Sequence, residues 1–359
     1  MNANEALKTL QTQIASKTRS SNESDRSRSK RSTKDTIFPS ILVTTDYSTN
    51  KAPENDFMFY DEIIYQLAFW NGVDLRFRSV NDPKIRLRIA GIIIALDREA
   101  TPYFTKYRQG DRWVVFPQEF PEIVQYWAEM RKRPEFSGKA YDMVVTVTDN
   151  DMSREYNDTR IQRVAGIGST GSLCRRPNQN FDATAVVSDR GGFRGVTTTV
   201  HEIGHILGLT HDDDAFSSCN AAYYEYIMSS SGVGPNNLRW SPCSLRRLSK
   251  LMRADRINCV DEPANFHDPG RPVRIILPGT ISNADKQCLG YRYRVACMVG
   301  PNICQNMKCA YEWEDQNNTA LCYDIGPAAE GTPCSDGHIC LNGQCECSTN
   351  DCLYTHAES

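Results

Sequence analysis

The chain has 359 residues, 41 Lys and Arg against 44 Asp and Glu, and a net charge of −3. That length allows two domains with a proper core, and the near-neutral charge excludes a nucleic-acid protein of the usual strongly basic kind. The longest apolar run, Ile89 to Leu96, is far short of the ~20 residues a membrane span needs.

Charge and cysteine are unevenly distributed. Residues 1–36 hold 8 Lys and Arg against 4 Asp and Glu, while the remainder holds 33 against 40. All 14 cysteines lie at or after Cys174, and ten of them fall in 288–359. Such density predicts a disulfide scaffold and an oxidising, extracellular compartment. It does not suit zinc ribbons, because the spacings form no repeated C-x2-C pairs.

The opening MNANEALKTLQTQIASK lacks the apolar stretch of a signal peptide. Residues 1–31 read as a disordered, basic, Ser-rich remnant. They end on Arg28-Ser29-Lys30-Arg31, a dibasic pattern similar to furin-type processing sites, which would start the mature chain at Ser32. Ile41–Thr45 is a short β-branched run and so a buried strand. Phe57–Trp70 has apolar residues near helical spacing, and Asn71-Gly72 is a plausible C-cap. Ile85–Leu96 reads as a strand entering the core, Pro121–Arg133 as an amphipathic helix and Met143–Val147 as another buried strand. Val164–Cys174 is Gly/Ser-rich and extended, the pattern of an edge strand, and Ala183–Val187 is a further short strand. Helices alternating with strands predict an α/β domain over 32–263. Past Asp261-Glu262-Pro263 the periodicity ends. A small Cys-rich domain over 264–346 follows, then a tail over 347–359 with an extra pair, Cys347 and Cys352.

The stretch with the most chemistry is His201-Glu202-Ile203-Gly204-His205, continued by Gly208 and His211-Asp212. Histidines four apart share one helical face, where both can reach one ion. Gly208 can take the left-handed conformation that ends a helix, so the chain can turn back and His211 can supply a third nitrogen. Three protein ligands leave a fourth position for water, the pattern of a catalytic zinc. Glu202 sits beside the first ligand, where it can take the proton of that water as general base and pass it to the leaving amine. Seventeen residues after His211 comes Met228, in Tyr226-Ile227-Met228-Ser229.

This HExxHxxGxxHD pattern with its downstream Met resembles the metzincin proteases, Met228 being the Met-turn that floors the histidines. Asp212 after the third His makes it similar to the reprolysin branch (ADAM, ADAMTS and snake-venom metalloproteases). ILVTTDY, FWNGV, YDMVVTVTD, GIGSTGSLC and WSPCS carry that resemblance over about residues 37–260. It implies a mixed five-stranded sheet over an active-site helix, with an extended protein substrate lying along the edge strand near Ile167–Ser172. It also implies disulfides Cys174–Cys259 and Cys219–Cys243, and a pocket wall from the segment around Met228–Asn237. Asp142 would match one ligand of the family's calcium site, with Ser40 where the first-strand acid would stand. LPGTISNADKQC and EGTPCSDGHICLNGQC resemble the disintegrin-like module of ADAMTS proteases. The short architecture resembles salivary reprolysins of blood-feeding arthropods such as ticks.

The resulting expectation is a secreted, monomeric zinc endopeptidase of extracellular proteins, fibrinogen among them, with sequons at Asn157 and Asn317 for glycans. The alternative is a non-proteolytic integrin or platelet antagonist acting through the Cys-rich domain, although no Arg-Gly-Asp tripeptide occurs.

Overall fold

The computed structural model describes residues 36–49, 56–117, 120–136, 141–156, 160–174, 183–214, 219, 225–230, 236–253, 260, 276–311 and 321–348. The processing motif, the boundary near 263, Asn157, Asn317, Cys259 and Cys352 lie outside them.

The half before the Cys-rich segment is built on a five-stranded sheet. Its strands are β1 (Ser40–Thr45), β2 (Arg88–Ile94), β3 (Met143–Thr148), β4 (Gly166–Gly168) and β5 (Thr184–Ser188), in the order β4-β5-β3-β1-β2. All pairings are parallel except β4 with β5. The expected mixed five-stranded sheet is therefore present. Parallel strands are covered on both faces and read as continuous apolar runs, which is why ILVTT and MVVTVT were legible. Every residue of β3 is buried. Side chains alternate: Ile41, Val43, Met143 and Val145 enter one core, and Leu42, Val144, Val186 and Ile167 the other. Each such side chain contributes about 1.5–3 kcal/mol by burial.

The first core is closed by α1 (Asp56–Phe77) and α3 (Gly195–Ile206), the second by α2 (Pro121–Met130). The helix does not stop at Asn71-Gly72. It continues to Phe77, because Val73 and Phe77 on its next turn are wholly buried. Gly72 serves a close approach instead: a Cβ there would lie 3.1 Å from Cγ of Pro278. The Ile85–Leu96 reading also splits. Lys84–Ile85 pairs with Thr36–Ile37, and Arg88–Ile94 alone joins the sheet, with a register shift against Ile41/Leu42. A four-stranded accessory sheet of Arg108–Gln109, Trp113–Phe116, Asp151–Tyr156 and Arg160–Val164 leads into β4. Thus Val164 belongs to the accessory hairpin, and of the Val164–Cys174 run only Gly166–Gly168 pairs with β5.

In the Cys-rich half, α4 (Ala284–Gly290) packs beside two three-stranded sheets stapled by Cys288–Cys309, Cys297–Cys322, Cys304–Cys340 and Cys334–Cys345. Cys219–Cys243 is formed as expected. Cys174 and Cys347 are also disulfide-bonded. Asn71 Nδ2 donates to Ile276 O at 3.0 Å, and Arg194 donates to Gly290 O at 3.2 Å while lying over the Tyr291 ring. No described helix is long and apolar enough to cross a membrane.

Candidate active site

Helix α3 begins with Gly195, Val196, Thr197, Thr198 and Thr199, a poor helix former on propensity alone. Tertiary contacts hold it. Asp189, at the end of β5, accepts the Gly195 amide at 3.2 Å and the Tyr65 hydroxyl at 2.6 Å. That carboxylate also complements the positive end of the helix. Tyr65 stacks on Phe193 with ring centroids 4.2 Å apart and accepts the Phe193 amide at 3.0 Å. Gly191, Gly192 and Phe193, just before the Arg194 cap, all have positive φ, +92°, +68° and +63°. At the other end Gly208 has φ +103° and turns the chain, as its place in the motif requires. The carbonyls of His205 and Ile206 accept the Gly171 and Leu173 amides at 2.8 and 3.1 Å, and His205 O also takes the Gly208 amide at 2.8 Å.

The turn brings His211 back to the helix. His211 Nε2 lies 3.3 Å from His201 Nε2 and 3.2 Å from His205 Nε2. The Nδ1 atoms of His201 and His205 meet the carbonyls of Ile227 and Leu209 at 2.6 and 2.8 Å. A carbonyl can only accept, so each Nδ1 carries the proton and each Nε2 presents a lone pair. Burial keeps both rings neutral, pushing His201 down to about 4 and His205 to about 3. Lone pairs converging this closely call for a cation between them. Tetrahedral bonds of about 2.0–2.1 Å to nitrogen place ligand atoms roughly 3.3–3.4 Å apart, which the observed separations fit. Among the described residues the other ligand-like group is Cys304, Cys334 and Cys340, all disulfide-bonded.

Glu202 opens onto the same cleft as the three histidines and is only 6% exposed. Burial pushes its carboxyl up to about 8, and the charge of Arg154 partly opposes that. It lies directly beneath β4: a Cβ on Gly166 would meet its Cγ and Oε1 at 2.7 Å, and one on Gly168 its carbonyl at 2.9 Å. The two glycines, two apart on one strand face, are what let the edge strand pass so close to the helix.

Met228 is wholly buried against α3, its Sδ 2.6 Å from where a Gly204 Cβ would stand. Asp212 ties this turn to the third histidine. Its amide donates to Met228 O at 2.8 Å, and its Oδ1 accepts from Ser244 Oγ at 2.8 Å. Asp142 is elsewhere, cross-tied to β1: Oδ2 accepts the Ser40 amide and its own amide donates to Ser40 O, both at 2.8 Å. No group of three potential ligands among the described residues includes it. Sequence reasoning missed Tyr65 and Asp189, whose pairing spans 124 positions. The acid six residues before the helix was the one signal available for Asp189.

The chain matches two families. Residues 65–212 match the M12B reprolysin-like metallopeptidases, and residues 278–346 match ADAMTS cysteine-rich domain 2. It is similar to a Bombyx mori protein described as "A disintegrin and metalloproteinase with thrombospondin motifs like", 32% identical over 89% of this chain and 46% of that one. Venom metalloproteinase 3 of Eulophus pennicornis is 25% identical over 63% of this chain and 52% of its own length. Human "A disintegrin and metalloproteinase with thrombospondin motifs 13" is 32% identical over 57% of this chain and 14% of its own. The chain spans about half the length of the first two of these relatives. The histidine cluster, the buried carboxyl beside it and the stapled second half agree with both matches: the chain carries a reprolysin-like M12B metallopeptidase domain followed by an ADAMTS cysteine-rich domain.

Proposed function

We propose that this chain is a secreted zinc endopeptidase hydrolysing peptide bonds of extracellular proteins, with His201, His205 and His211 as metal ligands and Glu202 as general base. The observation that carries the reading is that His211 Nε2 lies 3.3 and 3.2 Å from the Nε2 atoms of His201 and His205, beside a buried carboxyl in one cleft. Zinc, when bound, supplies a Lewis acid that polarises a carbonyl and lowers the pKa of a water.

The chain's own residues do the rest. An extended substrate adds to the outer edge of β4, unpaired among the described residues, where Gly168, Ser169 and Thr170 line the cleft. A Glu202 carboxylate oxygen takes the proton of the attacking water and returns it to the leaving amine nitrogen. Burial alone raises the Glu202 carboxyl, and a dication held by the histidines would favour its ionised, proton-accepting form. The Ile227 and Leu209 carbonyls hold the two helical imidazoles in the ligating tautomer. The disulfides of the second half and the extracellular flavour of the relatives support secretion.

The test is digestion of fibrinogen and gelatin by wild type and Glu202→Ala, with and without a zinc chelator, together with metal content. Cleavage lost in the variant and in the chelated sample, with one zinc per chain kept in the variant, is expected. Cleavage that survives in Glu202→Ala refutes the role of the carboxyl, and zinc-loaded wild type that cuts nothing refutes the peptidase reading.

A further inference from the structure

The last turn of α1 carries Arg76, a guanidinium 3% exposed. Its Nη2 is paired with the carboxylate of Glu330, which belongs to the Cys-rich half and is 6% exposed. Glu330 is itself fixed by the Asn342 amide, at 3.1 and 2.9 Å from its two oxygens. The other arm of the guanidinium, Nη1, donates to the carbonyl of Leu238 at 3.3 Å. Trp240 Nε1 closes the arrangement by donating to Arg76 O at 3.0 Å.

Leu238 and Asn237 line the cleft, as do Ile227 and Ser229 of the Met-turn. The two stretches are sewn together, since the Ile227 amide donates to Arg239 O at 3.0 Å. Ile227 O in turn receives His201 Nδ1. An unbroken run of polar contacts therefore leads from the Cys-rich half to the wall of the cleft and on to a histidine of the cluster. A buried guanidinium needs its carboxylate: without Glu330 the fork has no charge partner and is drawn towards water or other acceptors. The hydrogen bond to Leu238 is the one that reorientation breaks.

We propose that Glu330, acting through Arg76, is a positioning residue for the 237–240 wall of the cleft, and so sets which substrate side chain fits beside the scissile bond. The substrate half of this inference rests on the peptidase reading above. The positioning half does not.

The experiment uses the zinc-loaded full chain as wild type, Glu330→Gln, Glu330→Asp and Arg76→Lys, with Lys308→Ala as a control in an exposed ion pair of the same half. Amide hydrogen exchange is read over 226–240. In Glu330→Gln the Ile227 and Arg239 amides should exchange about tenfold faster, with β3 unchanged, as expected for loss of a coupling of ordinary size. Glu330→Asp should recover part of the protection, and Lys308→Ala all of it. Peptides varied at the residue after the scissile bond are then compared. The ratio of kcat/KM between preferred and disfavoured residues should narrow about tenfold in Glu330→Gln, mainly through KM.

Unchanged exchange at 226–240 overturns the positioning claim whatever the activity. Faster exchange with an unchanged residue preference overturns the specificity claim. If wild type cuts no peptide, the peptidase reading falls with the specificity claim, and exchange alone decides the positioning claim. Should Glu330→Gln fail to fold, Glu330→Asp and Arg76→Lys, which keep both charges, carry the same readouts.

Discussion

A methyl group added at Gly166 would stand 2.7 Å from Cγ and Oε1 of Glu202 and 2.8 Å from Cγ2 of Thr198. Ordinary contacts begin at 3.4 Å, so Gly166→Ala must open a gap of about 0.7 Å, the difference between those two distances. The strand cannot easily give, since it is pinned to β5 from Gly166 to Gly168. Thr198 is β-branched and stiff at χ1. The carboxyl of Glu202 is the softest partner and should move. A misplacement of about 1 Å at a catalytic group costs roughly 100-fold, so a loss of about 10- to 100-fold in kcat/KM is expected, or about 1.4–2.7 kcal/mol of barrier. Overpacking should add about 1–3 kcal/mol of destabilisation, read as a fall in Tm of about 2–4 °C per kcal/mol. Peptide kinetics, zinc content and thermal melts on one preparation test this. Activity within about threefold of wild type at an unchanged Tm would refute the reasoning, because a gap of that size cannot open at no cost. Loss of zinc would refute it differently, by showing that the histidines rather than Glu202 give way.

Two further predictions concern charge and burial. The Glu202 carboxyl is raised from 4.5 to about 8, so the folded protein holds a proton the unfolded chain releases. Stability from that proton is full below about 4.5 and lost as pH rises through about 8. Chelated wild type should therefore match Glu202→Gln near pH 4.5 and fall below it at pH 8, by at most about 5 kcal/mol. The depressed histidines are common to both proteins and cancel in the comparison. Denaturant midpoints at the two pH values decide it, and wild type gaining on the variant as pH rises would be the wrong sign. Tyr65→Phe removes the donor to Asp189 and the acceptor of the Phe193 amide; calorimetry should show a loss of about 1–3 kcal/mol, whereas an unchanged Tm would mean that water replaces the hydroxyl.

The histidine cluster was legible because its chemistry is local. His201, Glu202, His205, Gly208 and His211 lie within one helix and one turn, and helical periodicity alone brings the first two histidines together. The buried strands were legible for a similar reason, since β3 is apolar or Thr throughout and covered on both faces. What failed was decided by partners remote in sequence. Asn71-Gly72 has the look of a helix end, yet the glycine is needed in mid-helix because Pro278 presses on it. Gly166 and Gly168 do lie on the edge strand as read, but nothing local showed that their missing side chains make room for Glu202. Arg76 and Glu330 carried no signal at all. Each is an ordinary charged residue until the fold buries the two against each other.

The entry into α3 has a consequence for rotation. Gly191, Gly192 and Phe193 all hold positive φ, and for Phe193 that costs about 1–2 kcal/mol. No right-handed helix can grow backward through three such residues, so the first turn is fixed at Gly195. A slip of one residue would turn the helix by about 100° and carry the histidines off the cleft, leaving Glu202 or a neighbour in their place. The left-handed run acts as a stop that clocks the helix. The angle at which the imidazoles face the cleft is thus set in the left-handed run that ends at Phe193, eight residues before the first of them.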